Sequence, residues 1–167
     1  MSVTVESRLE ALGLVIPPPQ PPLGAYLPGK IEGSLLFLSG QTPQRDGLPT
    51  LVGRLGDGIG IDDAADAAAL AALNALSLAR GILGSLDRVA GVLRVTGYIA
   101  STPEFDQHPL VLNGASSVFV EAFGEAGRHA RSAIGVVSLP QGVPVEIDVI
   151  LQLVPDPADR PTQRSGD

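Results

Sequence analysis

The sequence predicts an α+β domain in which one sheet carries two helices on a single face. Three observations predict it. Apolar residues alternate at a period of two in some segments and recur at helical spacing in others, in the order β-β-α-β-α-β-β. No glycine-rich turn of the dinucleotide-binding kind joins a strand to a helix. The chain has 167 residues, 44% of them hydrophobic, enough for one domain with a sizeable core.

Residues 1–24 read as a lead-in. Val5 to Leu12 has the composition of a short helix, and Gly13 ends it. The run IPPPQPPLG, Ile16 to Gly24, follows. Proline fixes φ and removes the amide donor, so the chain is extended there, as a spacer or as a docking segment for a partner domain.

The domain proper spans residues 25–154. Tyr26 to Ser39 gives two strands about a Glu32-Gly33 turn. The second contains the run Leu35-Leu36-Phe37-Leu38, expected of a well-buried strand. It ends in Ser39-Gly40-Gln41-Thr42-Pro43, where Gly40 permits close backbone approach. Thr42 to Gly60 reads as a loop. Glycines 53, 56, 58 and 60 lack a following Lys-Ser/Thr, so they do not make a nucleotide-phosphate cradle.

Asp62 and Asp63 then open a helix, where aspartate caps free amides and faces the positive dipole end. The segment Ala64 to Leu86 is rich in alanine and leucine, with a stripe at Ala69, Leu73, Leu76, Ala79, Leu83 and Leu86. Gly81 and Gly84 weaken its last turns. Val89 to Ala100 is a strand rich in β-branched residues, ended by Ser101-Thr102-Pro103. His108 falls in the loop before Pro109, which suits the first turn of a helix. Leu110 to Phe123 is that helix, with Leu112, Val118, Phe119, Ala122 and Phe123 turned inward.

Two strands close the domain. One covers Ala133 to Val137; in the other, Val143, Val145, Ile147, Val149 and Leu151 alternate with other residues. Leu139-Pro140-Gln141-Gly142 joins them. Pairing through that turn brings Arg131 and Glu146 to the same end or the same face of the sheet. Residues 155–167 are polar and contain proline, and read as a disordered tail. With both helices on one face, the other sheet face keeps apolar residues and no third helix remains to cover it. Subunit association is the physical expectation.

Composition removes several classes of function. There are no cysteines, hence no disulfide, thiolate catalysis or zinc–thiolate site, which fits a cytoplasmic protein. The net charge is −7 with only 11 Lys and Arg, and no basic run offsets it. Such a surface repels a phosphate backbone, and two Tyr and four Phe do not build a base-stacking platform. Nucleic acid is therefore not an expected partner. No apolar run approaches the ~20 residues that span a bilayer, and the N-terminus lacks a secretory pattern.

The chemistry rests on Arg131 and Glu146. A guanidinium offers a planar fork for a carboxylate, and a carboxylate beside it holds a water or moves a proton. The same two residue types also make a structural ion pair at a sheet end. His129, two residues before Arg131, is a surface or capping residue, or it enters the cleft.

Several motifs resemble the RidA/YjgF family, also labelled endoribonuclease L-PSP. They are Ala25-Tyr26, Ser39-Gly40-Gln41-x-Pro43, Ala130-Arg131-Ser132, Leu139-Pro140 and Val145-Glu146-Ile147, in family order over roughly residues 25–153. The stretches LDRVAGVLRVTGYIAS, LVLNGASSVFVEAFG and GRHARSAIGV resemble a divergent branch. The resemblance implies a chorismate-mutase-like fold and a homotrimer with clefts between subunits. It also implies hydrolysis of reactive enamines and imines to 2-keto acids and ammonia, without metal or cofactor. Arg131 would bind the substrate carboxylate, and Glu146 would position water or transfer protons. Tyr26 and the backbone near Gly40 would line the pocket. Ala133 stands where many members have cysteine, leaving its amide as a donor, and Ser117 stands where the family has an asparagine. Two other readings stay open: a trimer that binds a small carboxylate without turnover, and the ribonuclease of the family label, which the acidic charge fits least.

Overall fold

A computed structural model describes residues 4–19 and 24–155. In chain order the elements are α1 (Val5–Ala11), β1 (Gly29–Glu32), β2 (Leu35–Gln41), β3 (Gln44–Arg45), β4 (Leu48–Pro49), β5 (Arg54–Leu55), β6 (Gly58–Ile59), α2 (Ile61–Leu83), β7 (Val89–Ala100), α3 (His108–Phe123), β8 (Ala130–Val136) and β9 (Val145–Leu153). The five longer strands make one mixed sheet in the order β1-β2-β9-β7-β8. Every neighbouring pair is antiparallel except β7–β8, which is parallel and joined by the crossover helix α3. Helices α2 and α3 pack on one face of this sheet, and the α+β expectation holds.

Alanine makes α2 narrow as well as helical. Ala64, Ala68, Ala71, Ala72, Ala75 and Ala79 are fully buried, which lets α3 and the sheet approach closely. A Cβ on Gly114 of α3 would overlap the carbonyl oxygen of Ala65. By length and composition α2 is apolar enough to cross a bilayer, but 72% of its most apolar window is buried inside the fold, as in a core helix. It stops at Gly84, whose φ of 82° makes a left-handed cap with its N–H on Arg80 O at 2.8 Å. The helix therefore ends short of Leu86. Leu86–Arg88 forms a separate 3-10 turn, and Leu86 still enters the core.

Among the described residues the sheet is covered on one side only, and that decides the burial of β2. Leu36 and Leu38 are buried, but Phe37 between them is 40% exposed, so the strand alternates instead of being buried throughout. Ile134 on β8, 45% exposed, lies on the same uncovered face, opposite Tyr98.

The two C-terminal strands do not pair with each other. β7 lies between β8 and β9 and bonds to both. The Leu139–Gly142 segment crosses the end of β7, with Ala100 N bonding Pro144 O and Ser101 N bonding Val136 O. Alternation of apolar residues defines a strand's faces but not its neighbours, so the sequence pattern is the same for a hairpin and for a crossover.

The lead-in is packed into the domain. Val5 and Leu9 join the core, Arg8 donates to Ala122 O at 3.0 Å, and Asp87 Oδ1 accepts from Val5 N at 3.1 Å. Ser77 on α2 donates to Pro17 O, which ties the start of the proline run to the helix. Residues 20–23 of that run, and residues 156–167 of the expected disordered tail, lie outside the described residues. The Thr42–Gly60 loop contains the two small ladders β3–β4 and β5–β6. Asn74 of α2 holds it by donating to Thr42 O and Gln44 O, and Gln44 donates to Gln141 Oε1 at 2.7 Å.

Candidate functional site

The predicted residues fall into two groups at different places on the chain. The first surrounds Glu146. Strand β2 slips register against β9 between Leu38 and Gln41, so Gly40 lies in an irregular step opposite the start of β9. A Cβ on Gly40 would overlap Glu146 Oε1, so the carboxylate lies directly on the bare backbone there. Ser39 Oγ donates to Leu27 O at 2.6 Å, one residue after Tyr26. The Tyr26 ring is 52% exposed. Burial pushes the Glu146 carboxyl above its ordinary range, and the charge of Asp148 adds to this. Asp148 in turn accepts from the Tyr98 hydroxyl at 2.8 Å, and this bond raises the Tyr98 pKa.

The second group surrounds Arg131. Its guanidinium is held by α3: Nη1 donates to Ser116 Oγ at 3.0 Å, and Nη2 to Asn113 Oδ1 at 2.8 Å and to Pro109 O at 3.2 Å. All three acceptors are neutral. Among the described residues no carboxylate pairs with Arg131, so its charge is uncompensated and some N–H donors remain unspent. Ala133 follows on the same face of β8, opposite Gly97. His129 also belongs here: its Nδ1 is 2.7 Å from Gly127 O, and its Nε2 is 3.1 Å from Ser116 Oγ.

The two groups do not meet within one chain. Arg131 is level with Val95 of β7, whose side chain faces the helices. Glu146 is level with Tyr98, on the opposite face. The two residues are two strands apart laterally and three residue steps apart lengthwise, roughly 14 Å between backbones. The expectation of a shared end or face is therefore corrected. It rested on the hairpin, and the interposed β7 removes it.

Sequence reasoning missed Ser116 and Asn113. Ser117 is exposed and makes no hydrogen bond to Arg131, whereas Ser116 and Asn113, three residues apart on α3, share the face that reaches β8. The phase of the helix was the signal. Inward residues Leu112, Ala115 and Phe119 leave Asn113 and Ser116 along one flank of the buried stripe.

His108 lies inside α3, not in the loop before it, and bonds Ser101 Oγ through Nε2 at 3.0 Å. A cleft of about 380 Å³ opens beside it, lined by Arg54, Phe105 and Val137 among others. Arg54 there is already paired with Asp57 at 2.9 Å.

The fold and site together define a small α+β protein with a cation on an edge strand, unpaired among the described residues, and a half-buried carboxylate on the open sheet face. The family described as "YjgF/chorismate_mutase-like, putative endoribonuclease" matches residues 6–145, and the chain belongs to it. This is the RidA/YjgF family of the motif resemblance. The match ends one residue before Glu146. Protein TCP17 of Trypanosoma cruzi is 37% identical over 150 residues, 89% of this chain and 94% of that one. Two crystal structures have the same fold at high coverage. Atu1372 of Agrobacterium tumefaciens, of unknown function, is 39% identical, with TM-score 0.84 over 90% of this chain and 92% of that one. A "putative endoribonuclease" from Shewanella oneidensis is 35% identical, with TM-score 0.86 over 90% and 99%.

Proposed function

We propose that this protein hydrolyses small 2-imino and 2-enamino carboxylates to 2-keto acids and ammonia, in clefts shared by the subunits of a homotrimer. The observation that carries the reading is the state of Arg131, a cation oriented by three neutral acceptors with no carboxylate partner among the described residues. Such a group is ready for a substrate carboxylate, which it binds through paired N–H donors.

The carboxylate of Glu146 supplies the second half. Because it lies on the opposite face of its own sheet, it reaches an Arg131-bound substrate only from a neighbouring chain. The uncovered face bearing Phe37 and Ile134 supports that association. In the cleft, Arg131 holds the carboxylate and water adds to C2 of the imine. Glu146 takes a proton from that water and returns it to the departing nitrogen. Burial raises its pKa, which favours its taking up that proton. The balance is imine plus water giving keto acid plus ammonia; an enamine first takes a proton at C3 and gives one up from nitrogen, becoming the imine.

The test is keto-acid release from freshly generated 2-iminopropanoate, compared with the spontaneous rate. Release above that rate, lost in Arg131→Ala, supports the reading. No release by the folded protein overturns it. Binding of a 2-keto acid without turnover would leave the carboxylate-binding trimer in its place. The net charge of −7 and the absence of a basic run speak against RNA as the substrate.

A further inference from the structure

Hydrogen bonds join His129 to Arg131 through Ser116, and each fixes the direction of the next. The Gly127 carbonyl can only accept, so the hydrogen in the 2.7 Å contact is on His129 Nδ1. In the neutral ring Nε2 is then an acceptor. The Ser116 hydroxyl, 3.1 Å away, must donate to it. That spends the hydroxyl proton and turns the oxygen lone pairs to Arg131 Nη1 at 3.0 Å. Edge-on packing against Phe119, with ring centroids 5.7 Å apart at 86°, fixes the imidazole plane. Burial lowers the His129 pKa, the bond to Gly127 opposes this, and the Arg131 charge lowers it further.

We propose that His129 is a positioning residue: by fixing the Ser116 hydroxyl, it sets the guanidinium plane of Arg131 for a carboxylate. This rests on the carboxylate-binding reading of Arg131. Without His129, the Ser116 hydroxyl is free to turn to a carbonyl of its own helix, as serines in helices do. Arg131 then keeps its charge and its bonds to Asn113 and Pro109 but loses one of the bonds that fix its plane.

The test has two readouts: calorimetric titration with 2-ketobutyrate, and nitrogen NMR of Arg131 guanidinium rotation in the ligand-free protein. His129→Phe, which keeps the packing on Phe119, should weaken 2-ketobutyrate about tenfold and speed the rotation. His129→Gln, which restores an acceptor for Ser116, should recover most of both. On a Ser116→Ala background, His129→Phe should change neither further, because the route is already cut. A thermal melt of each variant separates these effects from unfolding, and the His129→Gln comparison stands if the Phe variant folds poorly. Unchanged binding and rotation in folded His129→Phe overturn the proposal. So does an effect that persists undiminished on the Ser116→Ala background. If the parent protein binds no 2-ketobutyrate, the carboxylate-binding reading falls, and the rotation measurement still decides the role of His129.

Discussion

The Glu146 carboxylate occupies the space that a side chain on Gly40 would need. The glycine is therefore the floor on which the carboxylate rests. Gly40→Ala should move the carboxylate without unfolding the chain, because the displaced atom ends a flexible side chain. Imine hydrolysis should fall about 100-fold, with a cost of roughly 1 kcal/mol in a thermal melt. Activity equal to the parent's would detach Glu146 from the chemistry.

The pH dependence of stability has a sign set by Glu146. Its carboxyl is raised in the fold, so the folded chain holds this proton to higher pH than the unfolded chain does. The stabilisation is complete below the unfolded value and is lost as pH rises through the raised folded value. Glu146→Gln should therefore raise Tm near neutral pH by about 1–3 °C, and change it little near pH 4. A lower Tm at neutral pH would mean that the ionised carboxylate is stabilising.

The proposed shared cleft makes a prediction about mixtures. The purified protein should scatter light as about three times the 17.1 kDa chain. Arg131→Ala and Glu146→Gln proteins, each inactive alone, should regain activity when unfolded together and refolded. Random assembly restores about a quarter of the clefts. No recovery from a well-formed mixed trimer would place both residues in separate roles.

Gly114 is a purely structural test. Its missing side chain lets α3 meet the backbone of α2 at Ala65, and a backbone carbonyl cannot turn aside. Gly114→Ala should cost about 1–3 kcal/mol in denaturant unfolding, despite the better helix propensity of alanine. An unchanged midpoint would show that the helices separate easily.

Much of the fold was legible because it depends on local pattern. Val89–Ala100 was bounded to the residue, since β-branched content and a terminal Ser-Thr-Pro mark both ends. Helix α2 was overrun by three residues, since Leu86 keeps the apolar phase after Gly84 has turned the chain. Strand neighbours were not legible. The alternation in β9 is the same whether β8 or β7 lies beside it, and that one ambiguity put Arg131 and Glu146 at the same end or on the same face. Of the candidate site, Arg131 was singled out by residue type and motif. Its immediate holders, Ser116 and Asn113, depended on helix phase relative to a parallel strand whose register no local signal supplies.

The strand order also fixes when the molecule can be completed. Strand β9 comes last in sequence among the five strands of the sheet, yet it lies in the middle and joins the β1–β2 hairpin to the β7–β8 pair. On a ribosome, the two halves emerge first with their inner edges bare, and nothing upstream can substitute for the missing partner. Such edges attract strands from other chains. The sheet is thus complete only once β9 has joined its two halves. A chain cut short before Val145 leaves two open half-sheets.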